Sequence, residues 1–227
     1  MDSSHENPQN SFPVDLLQVI KKNTSTEGFE ELVLVTSRAE TLVRYYGLSE
    51  CKTGIVMIGG VGGGFDTPAH LLYPKLASDL LGRGFSSLRI RYREPHNLDE
   101  SVFDVLTGLS FLHPQGIDLI GLVGHSFGGA VAIRAAAIDH SVATVVTLAA
   151  QSYGSGVVSE LGPQCSILLV HGTSDTVLPA ESSQHIYMQA REPKKISIYK
   201  AGHRLDEISD LLFTEVREWL ITWVRGD

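Results

Sequence analysis

Three side chains of this sequence have the types and the order of a nucleophile, an orienting acid and a base. Ser126 lies in the pattern Gly-His-Ser-Phe-Gly, Asp175 follows an apolar run, and His203 follows the last predicted strand. A serine hydroxyl is a weak nucleophile until a base takes its proton, and histidine is the side chain that most often does so. The acid would fix the imidazole tautomer. These residues predict attack of Ser126 on an acyl carbonyl.

The segment around Ser126 has the local pattern that such a nucleophile needs. An apolar run precedes it, as in a strand buried on both faces of a parallel sheet, and a helix is predicted at Gly128–Asp139. Glycines two residues before and after the serine remove side chains that would clash in a tight strand-to-helix turn. The helix N-terminus favours developing negative charge. Taken alone, the pentapeptide also fits an ordinary glycine-rich turn.

Backbone N–H groups of Val61 and Phe127 are the candidate oxyanion hole. Val61 belongs to a glycine run, residues 59–64, that follows a predicted buried strand, and Phe127 follows the serine. The run fails the dinucleotide pattern G-x-G-x-x-G at Phe65, so nucleotide binding is not indicated. The candidate substrate-binding residues are Gly60, His70 and Tyr153.

Other polar residues have simpler interpretations. His125 and His171 are interpreted as packing and core histidines. Asp206 is a rival for the acid, but it follows the base His203 too closely to reach across the sheet. Asp118 lies at the wrong end of its strand. His96 could reach the mouth of the site.

Composition narrows the class of protein. The chain has 227 residues, 43% hydrophobic and 19% charged, and a net charge of -8, which argues against nucleic acid or an anionic membrane surface as partner. Two cysteines without a C-x-x-C pattern indicate neither a disulfide scaffold nor a metal site. No apolar segment is long enough to span a bilayer, and no signal pattern opens the sequence. A cytoplasmic location is the expectation.

The order of elements predicts one α/β domain over residues 29–227. Residues 1–28 are interpreted as a flexible lead-in, with one or two helical turns around Val14–Ile20. Two β-rich runs, residues 32–36 and 41–46, suit an antiparallel hairpin. Strands and helices alternate after residue 53, which is typical of a mostly parallel sheet covered by helices on both faces.

With these residues in hand, the chain resembles the α/β-hydrolase fold superfamily over roughly residues 30–225. The motifs that carry the resemblance are Gly-His-Ser-Phe-Gly-Gly (124–129), His-Gly-Thr-Ser-Asp (171–175) and Gly-His (202–203). The resemblance implies a three-layer α/β/α sandwich, an eight-stranded sheet whose second strand is antiparallel, and a Ser-Asp-His site that needs no cofactor and no metal. Within the superfamily, the chain looks most like small dienelactone-hydrolase-like members.

The sequence departs from this family at two points, and it lacks one insertion that related enzymes have. Gly59-Gly60 stands where the family often has His-Gly, which makes Val61 a less secure oxyanion donor. Ser126 stands where dienelactone-hydrolase-like members commonly use cysteine. Only residues 151–165 separate two strands between which related enzymes insert a helical cap, so we expect an open, shallow pocket.

The leading hypothesis is therefore a serine hydrolase, a monomer or homodimer, that cleaves a small carboxylic ester or thioester. A peptidase-like acyl hydrolase is an alternative, although such enzymes usually carry an extra domain. A non-catalytic ligand- or partner-binding module is another, and the intact set Ser126, Asp175 and His203 counts against it.

Overall fold

The computed structural model describes residues 14–25 and 28–225, which form one nine-stranded sheet with helices on both faces. The strands are β1 Leu16–Thr24, β2 Glu30–Thr36, β3 Glu40–Tyr46, β4 Thr53–Ile58, β5 Phe85–Arg91, β6 Leu119–His125, β7 Val142–Leu148, β8 Ser166–Gly172 and β9 Lys194–Tyr199. The α-helices are α1 Leu72–Leu81, α2 Leu98–Leu112, α3 Phe127–Ile138, α4 Glu181–Gln189 and α5 Ser209–Arg225.

The strand order is β1-β2-β3-β5-β4-β6-β7-β8-β9. The pairs β1–β2, β2–β3 and β3–β5 are antiparallel. From β5 onward, the strands β5, β4, β6, β7, β8 and β9 form a continuous parallel set. The carboxyl ends of these parallel strands therefore meet at one edge of the sheet. In an open α/β sheet, that edge is where ligands bind.

Two apolar clusters, one on each face of the sheet, hold the layers together. One contains buried residues of α1 and α5, and the other contains buried residues of α2, α3 and α4. The central strands β4 and β8 are buried along their whole length, as their continuous apolar runs predict. The expected three-layer sandwich with a mostly parallel sheet is confirmed.

The expectation of eight strands was wrong by one. Strand β1 lies within the segment interpreted as a lead-in, and the helical turns expected over Val14–Ile20 are a strand instead. The cause is its position: β1 is the edge strand, paired with β2 on one side only, and polar residues alternate poorly with apolar ones there. Residues 1–13, 26 and 27 of the predicted lead-in lie outside the described residues.

The connection between β7 and β8 carries no inserted cap. Within residues 149–165 the structure has one short 3-10 helix, Gly156–Glu160. The short connection expected from the sequence is thus confirmed. Among the described residues, no helix combines the length and the apolar character needed to cross a bilayer.

Candidate active site

The turn between β6 and α3 places Ser126 at the carboxyl edge of the sheet. Ser126 has φ 56° and ψ −118°, a backbone conformation that non-glycine residues rarely adopt. A side chain at Gly124 would overlap the backbone of Gly128, and one at Gly128 would overlap the carbonyl of Gly59. Both glycines are therefore required by close backbone approach. The sharp turn predicted from the pentapeptide is present.

Hydrogen bonds hold this turn against the next strand. The Ser126 backbone N–H donates to Leu148 O at 2.8 Å, and Ser126 O accepts from Gln151 N at 3.4 Å. Because the backbone is fixed on both sides, the Ser126 side chain is presented from a rigid support. Rigid support of this kind limits the reorganisation that a reaction would require.

The structure brings the three predicted residues together in one hydrogen-bonded chain. Ser126 Oγ lies 3.0 Å from His203 Nε2, and His203 Nδ1 lies 2.7 Å from Asp175 Oδ2. An ionised carboxylate can only accept, so the proton of the imidazole is on Nδ1 and the Nε2 lone pair faces the serine hydroxyl. This arrangement can move a proton from Ser126 to His203.

The Asp175 carboxylate is held ionised by its donors. Its Oδ1 accepts from Val177 N at 2.8 Å and from Leu178 N at 2.9 Å, and its side chain is fully buried. Burial opposes ionisation, but the hydrogen bonds from Leu178 N–H, His203 and Val177 N–H outweigh it and lower the pKa of Asp175. The negative charge is therefore in place to stabilise a cationic imidazole.

His171 is a buried core histidine, as the sequence indicates, but it also contacts the acid. Its Nε2–H points to Asp175 Oδ2 and Leu178 O, each at 3.1 Å, and its Nδ1 lies 2.7 Å from Ser183 Oγ. Since both partners of Nε2 are acceptors, Nδ1 accepts from the Ser183 hydroxyl. Asp175 Oδ2 thus has two imidazole partners. The only sequence signal was a histidine four residues before the acid.

His125 packs beside the base, as interpreted, and makes a contact that the sequence did not reveal. Its ring centroid lies 4.9 Å from that of His203, and its Nε2–H donates to the His203 backbone oxygen at 2.9 Å. Burial lowers the pKa of His125 to about 4, so the ring is neutral at physiological pH. His203 therefore has an uncharged imidazole beside its own ring.

The glycine run after β4 passes directly beside the nucleophile. A Cβ on Gly60 would lie 3.6 Å from Ser126 Cβ, in ordinary contact. Val61 follows and is 38% exposed, while Phe127 opens α3, where the first backbone N–H groups have no acceptor within the helix. The structure therefore places both predicted oxyanion donors in segments that flank Ser126.

Arg204 links the glycine-run segment to the loop that carries the base. Its guanidinium donates to Thr67 O at 2.7 Å, and its backbone oxygen accepts from Ala69 N at 2.8 Å. This link joins residues far apart in sequence, so no local sequence pattern predicts it. It keeps the two sides of the site at a fixed separation.

The other predicted substrate-binding residues lie in different places. Tyr153 is 81% exposed and, with His96, lines an open cleft of about 600 Å³. His70 does not line that cleft; its imidazole lies 3.7 Å from the Asp206 carboxylate. Asp206 therefore contacts His70 and Arg204 and is no rival to Asp175 for the base.

A second group of serine, histidine and aspartate lies at the opposite edge of the sheet. This amino-edge cluster consists of His113, Asp118, Asp139 and Ser141. His113 Nε2 lies 3.1 Å from Asp139 Oδ2, His113 Nδ1 lies 3.4 Å from Asp118 Oδ1, and Ser141 Oγ lies 2.7 Å from Asp139 Oδ1. In the part of the chain that the structure describes, no three His, Cys, Asp or Glu side chains are grouped as ligands for a metal ion.

No family model matches the sequence. A curated relative is an uncharacterized protein, YfhR, of Escherichia coli O157:H7, which is 28% identical over 167 residues, covering 63% of this chain and 57% of the relative. The chain thus spans a little over half the length of this relative.

Solved structures resemble the chain over most of its length. The dienelactone hydrolase from Anabaena variabilis superposes with a TM-score of 0.73 at 15% identity, covering 87% of this chain and 99% of that chain. An alpha-beta serine hydrolase homologue from Coxiella burnetii has a TM-score of 0.65 at 24% identity, covering 85% and 95%. At these identities the likeness establishes the fold, and the chain has the α/β-hydrolase fold that its motifs implied.

Proposed function

We propose that this protein is a serine hydrolase that cleaves small carboxylic esters or thioesters through an acyl-enzyme on Ser126. The observation that carries the proposal is the continuous hydrogen-bonded chain from Ser126 Oγ through His203 to Asp175 Oδ2. A hydroxyl facing an imidazole lone pair, with a carboxylate behind it, is the arrangement that activates a serine.

In the first half of the reaction, His203 Nε2 takes the hydroxyl proton as Ser126 Oγ bonds to the substrate carbonyl carbon. The imidazole becomes cationic, and the Asp175 carboxylate stabilises that charge. His203 then gives the proton to the leaving oxygen or sulfur, the bond to the leaving group breaks, and the acyl group stays on Ser126. In the second half, His203 takes a proton from a water molecule as the water oxygen bonds to the acyl carbon. His203 then returns the proton to Ser126 Oγ, and the bond between the serine and the acyl group breaks.

The oxyanion that forms in each half would be held by backbone N–H groups of Val61 and Phe127. Both flank the nucleophile, and the N-terminus of α3 adds a favourable field. Loss of one such donor costs about 3 kcal/mol in the transition state. Gly60 leaves space for a substrate because it has no side chain beside Ser126.

Small substrates fit the surroundings of the site. The connection between β7 and β8 has only a 3-10 helix where a cap would cover the nucleophile, and the neighbouring cleft is open. A long acyl chain would find little apolar surface to bury. The proposal includes a cytoplasmic location, since both cysteines, Cys51 and Cys165, are free thiols.

The test compares the rates of hydrolysis of three acetyl compounds with small leaving groups: an ester, a thioester and an anilide. We expect hydrolysis of the ester and thioester by the wild type, with little turnover of the anilide, and loss of all hydrolysis in Ser126→Ala. Equal rates in wild type and variant, or a folded wild type that hydrolyses none of the three, would contradict the proposal.

A further inference from the structure

The open cleft and the candidate nucleophile both lie on the carboxyl edge of the sheet. One wall, residues 94–99, follows β5, and the other wall is Tyr153, beyond β7. In the sheet, β4 and β6 lie between these two strands, and β6 ends at the turn of Ser126. The cleft and the serine hydroxyl therefore open on the same side of the molecule.

Two contacts tie the walls of the cleft to the site. A Cβ on Gly63 would lie 3.2 Å from Pro95 Cγ, so the glycine run touches the first wall. Gln151 donates its backbone N–H to Ser126 O at 3.4 Å and its side-chain amide to Tyr153 O at 3.0 Å, which links the second wall to the nucleophile. Both walls of the cleft are therefore connected to segments that contact or flank Ser126.

The charge in the cleft is negative. Its described lining includes the carboxylates of Glu94 and Asp99 and contains no lysine or arginine. Arg134 pairs with Asp99 at 2.9 Å, whereas the recorded partner of the Glu94 carboxylate is the neutral Asn97 amide at 3.1 Å. Among the described residues, the Glu94 carboxylate thus has no cationic partner.

The nearest guanidinium in sequence does not balance this charge. Arg93 donates to Asp104 at 2.5 Å and to Glu100 at 2.7 Å, away from the lining of the cleft. The chain as a whole carries a net charge of -8, which adds to the negative potential at its surface. An anionic group in the cleft would meet repulsion, and a cationic group would meet attraction.

The cleft also offers an aromatic face. Tyr153 is 81% exposed, and Leu98 and Pro95 supply apolar surface on the facing wall. An alkylammonium group is attracted both by a carboxylate and by the face of an aromatic ring. These two features, on a single cleft beside a nucleophile, favour one class of ligand.

We propose that this cleft is a subsite for a cationic alkylammonium group of the ester substrate, bound by Glu94 and Tyr153. The inference rests on the proposed function of Ser126. It assigns the specificity of the site: esters that carry a positive charge beside the scissile bond are turned over faster than neutral esters, and esters with a carboxylate there are turned over more slowly.

The experiment compares kcat/KM for three acetate esters of similar size: acetylcholine, its neutral isostere 3,3-dimethylbutyl acetate, and the acetate ester of 4-hydroxybutanoate. Assays at pH 8 keep histidines of ordinary pKa neutral. We expect kcat/KM for the cation to exceed that for the neutral ester by roughly 5-fold, as one partly screened charge pair implies, and that for the anion to fall below it.

Variants identify the groups responsible. Glu94→Gln and Tyr153→Leu should each bring the ratio of cationic to neutral ester towards one. The matched control is Glu50→Gln, an exposed carboxylate before β4 at the opposite edge, which should leave the ratio unchanged. A wild type that does not distinguish the cation from the neutral ester, or a ratio that Glu94→Gln does not alter, would overturn the inference.

A binding measurement separates this inference from the proposed function. Tetraethylammonium binding, measured by calorimetry, should weaken roughly 5-fold in Glu94→Gln, a change that needs no turnover. Unaltered binding in the variant, or none in the wild type, would overturn the subsite. Absence of hydrolysis of all three esters by the wild type, with cation binding intact, would instead count against the proposed function of Ser126.

Discussion

Serine, histidine and aspartate side chains contact one another at both edges of the same sheet, and only one of the two arrangements suits catalysis. At the carboxyl edge, the imidazole of His203 lies between Ser126 on Nε2 and Asp175 on Nδ1. At the amino edge, the imidazole of His113 has a carboxylate on each nitrogen. The residue types are the same, but the atoms that meet are different.

The protonation states differ as a result. Burial opposes a charge on His113, but hydrogen bonds and charge from Asp139 and Asp118 outweigh it and raise its pKa. Burial likewise opposes ionisation of Asp139, yet His113 and Ser141 lower its pKa. The amino-edge cluster therefore favours a cationic His113 paired with Asp139. An imidazole with a proton on each nitrogen has no lone pair with which to accept another.

The serines differ in the same way. The Ser141 hydroxyl is 2.7 Å from Asp139 Oδ1 and donates its proton to that carboxylate, whereas the Ser126 hydroxyl faces an imidazole lone pair. Ser126 also lies on a strained turn beside the glycine run, and Ser141 precedes β7. Reactivity of a serine therefore depends on which atom accepts its proton and on what surrounds the oxygen.

The largest expected difference is between the two serines. Ser126→Ala should lower kcat by about 10⁴-fold or more. The serine and its base act as one unit, so loss of the serine removes nearly all of the rate enhancement that the unit provides. Ser141→Ala should leave kcat within about twofold, since it lies at the far edge. Steady-state kinetics on a chromogenic acetate measure both. A large loss in Ser141→Ala with an intact Ser126→Ala would reverse the assignment.

Variants of His203 and His113 should separate effects on activity from effects on stability. His203→Gln should lower kcat by about 10³-fold or more with little change in the free energy of unfolding, because the side chain lies in the site and is not in either apolar cluster. The variant's far-UV circular dichroism and urea midpoint provide the control. Activity that survives in a folded His203→Gln would remove the base from the mechanism.

His113→Gln should have the opposite signature. Removal of one partner of a buried ion pair leaves Asp139 uncompensated, which costs about 3 kcal/mol of unfolding free energy. The catalytic rate should be unchanged at temperatures where the variant is folded. Urea denaturation measures the first quantity and ester hydrolysis the second. A stable His113→Gln with reduced kcat would show that the amino-edge cluster acts on the site.

A smaller effect is expected at His171, which contacts Asp175 without touching Ser126. His171→Ala should lower kcat roughly 10-fold, because the carboxylate loses one donor and some of its fixed orientation. His171→Gln keeps a donor and should recover part of that loss. A purely structural role would lower stability in both variants and leave kcat of the folded fraction unchanged.

The smallest expected effect is a pH dependence of stability. The pKa of His113 is raised above its ordinary value of 6.5, so the native state binds the proton more tightly than the unfolded chain. Its contribution is fully present below pH 6.5 and is lost as pH rises through the folded pKa. Urea midpoints of the wild type should therefore decline on this alkaline side, and those of His113→Gln should decline less. Parallel curves for the two proteins would contradict a protonated His113.

Sequence reasoning reached the parts of this molecule that local chemistry dictates. Ser126 was placed by glycines that close backbone approach demands, Asp175 by the continuous apolar run of β8, and His203 by its position after the last strand. The contacts of His125 with His203 and of His171 with Asp175 were not foreseen, because each forms only after the sheet is assembled. The pairing of His113 with Asp139 was missed for the same reason.

Strand β1 shows why an edge strand was not predicted from the sequence. Its residues are exposed on an edge, so the alternation that marks half-buried strands is weak, and its pairing with β2 is what defines it. The link between Arg204 and Thr67 joins residues 137 positions apart, a separation that no local pattern covers. Edges and long-range polar contacts are decided by the assembled fold.

The central claim is that Ser126, and not Ser141, is the activated serine. Labelling the folded protein with a fluorophosphonate and mapping the adduct by peptide mass spectrometry tests it most directly. We expect one adduct, on Ser126, in the wild type and in Ser141→Ala, and none in Ser126→Ala or His203→Gln. An adduct on Ser141, or labelling that persists without Ser126, would contradict the account.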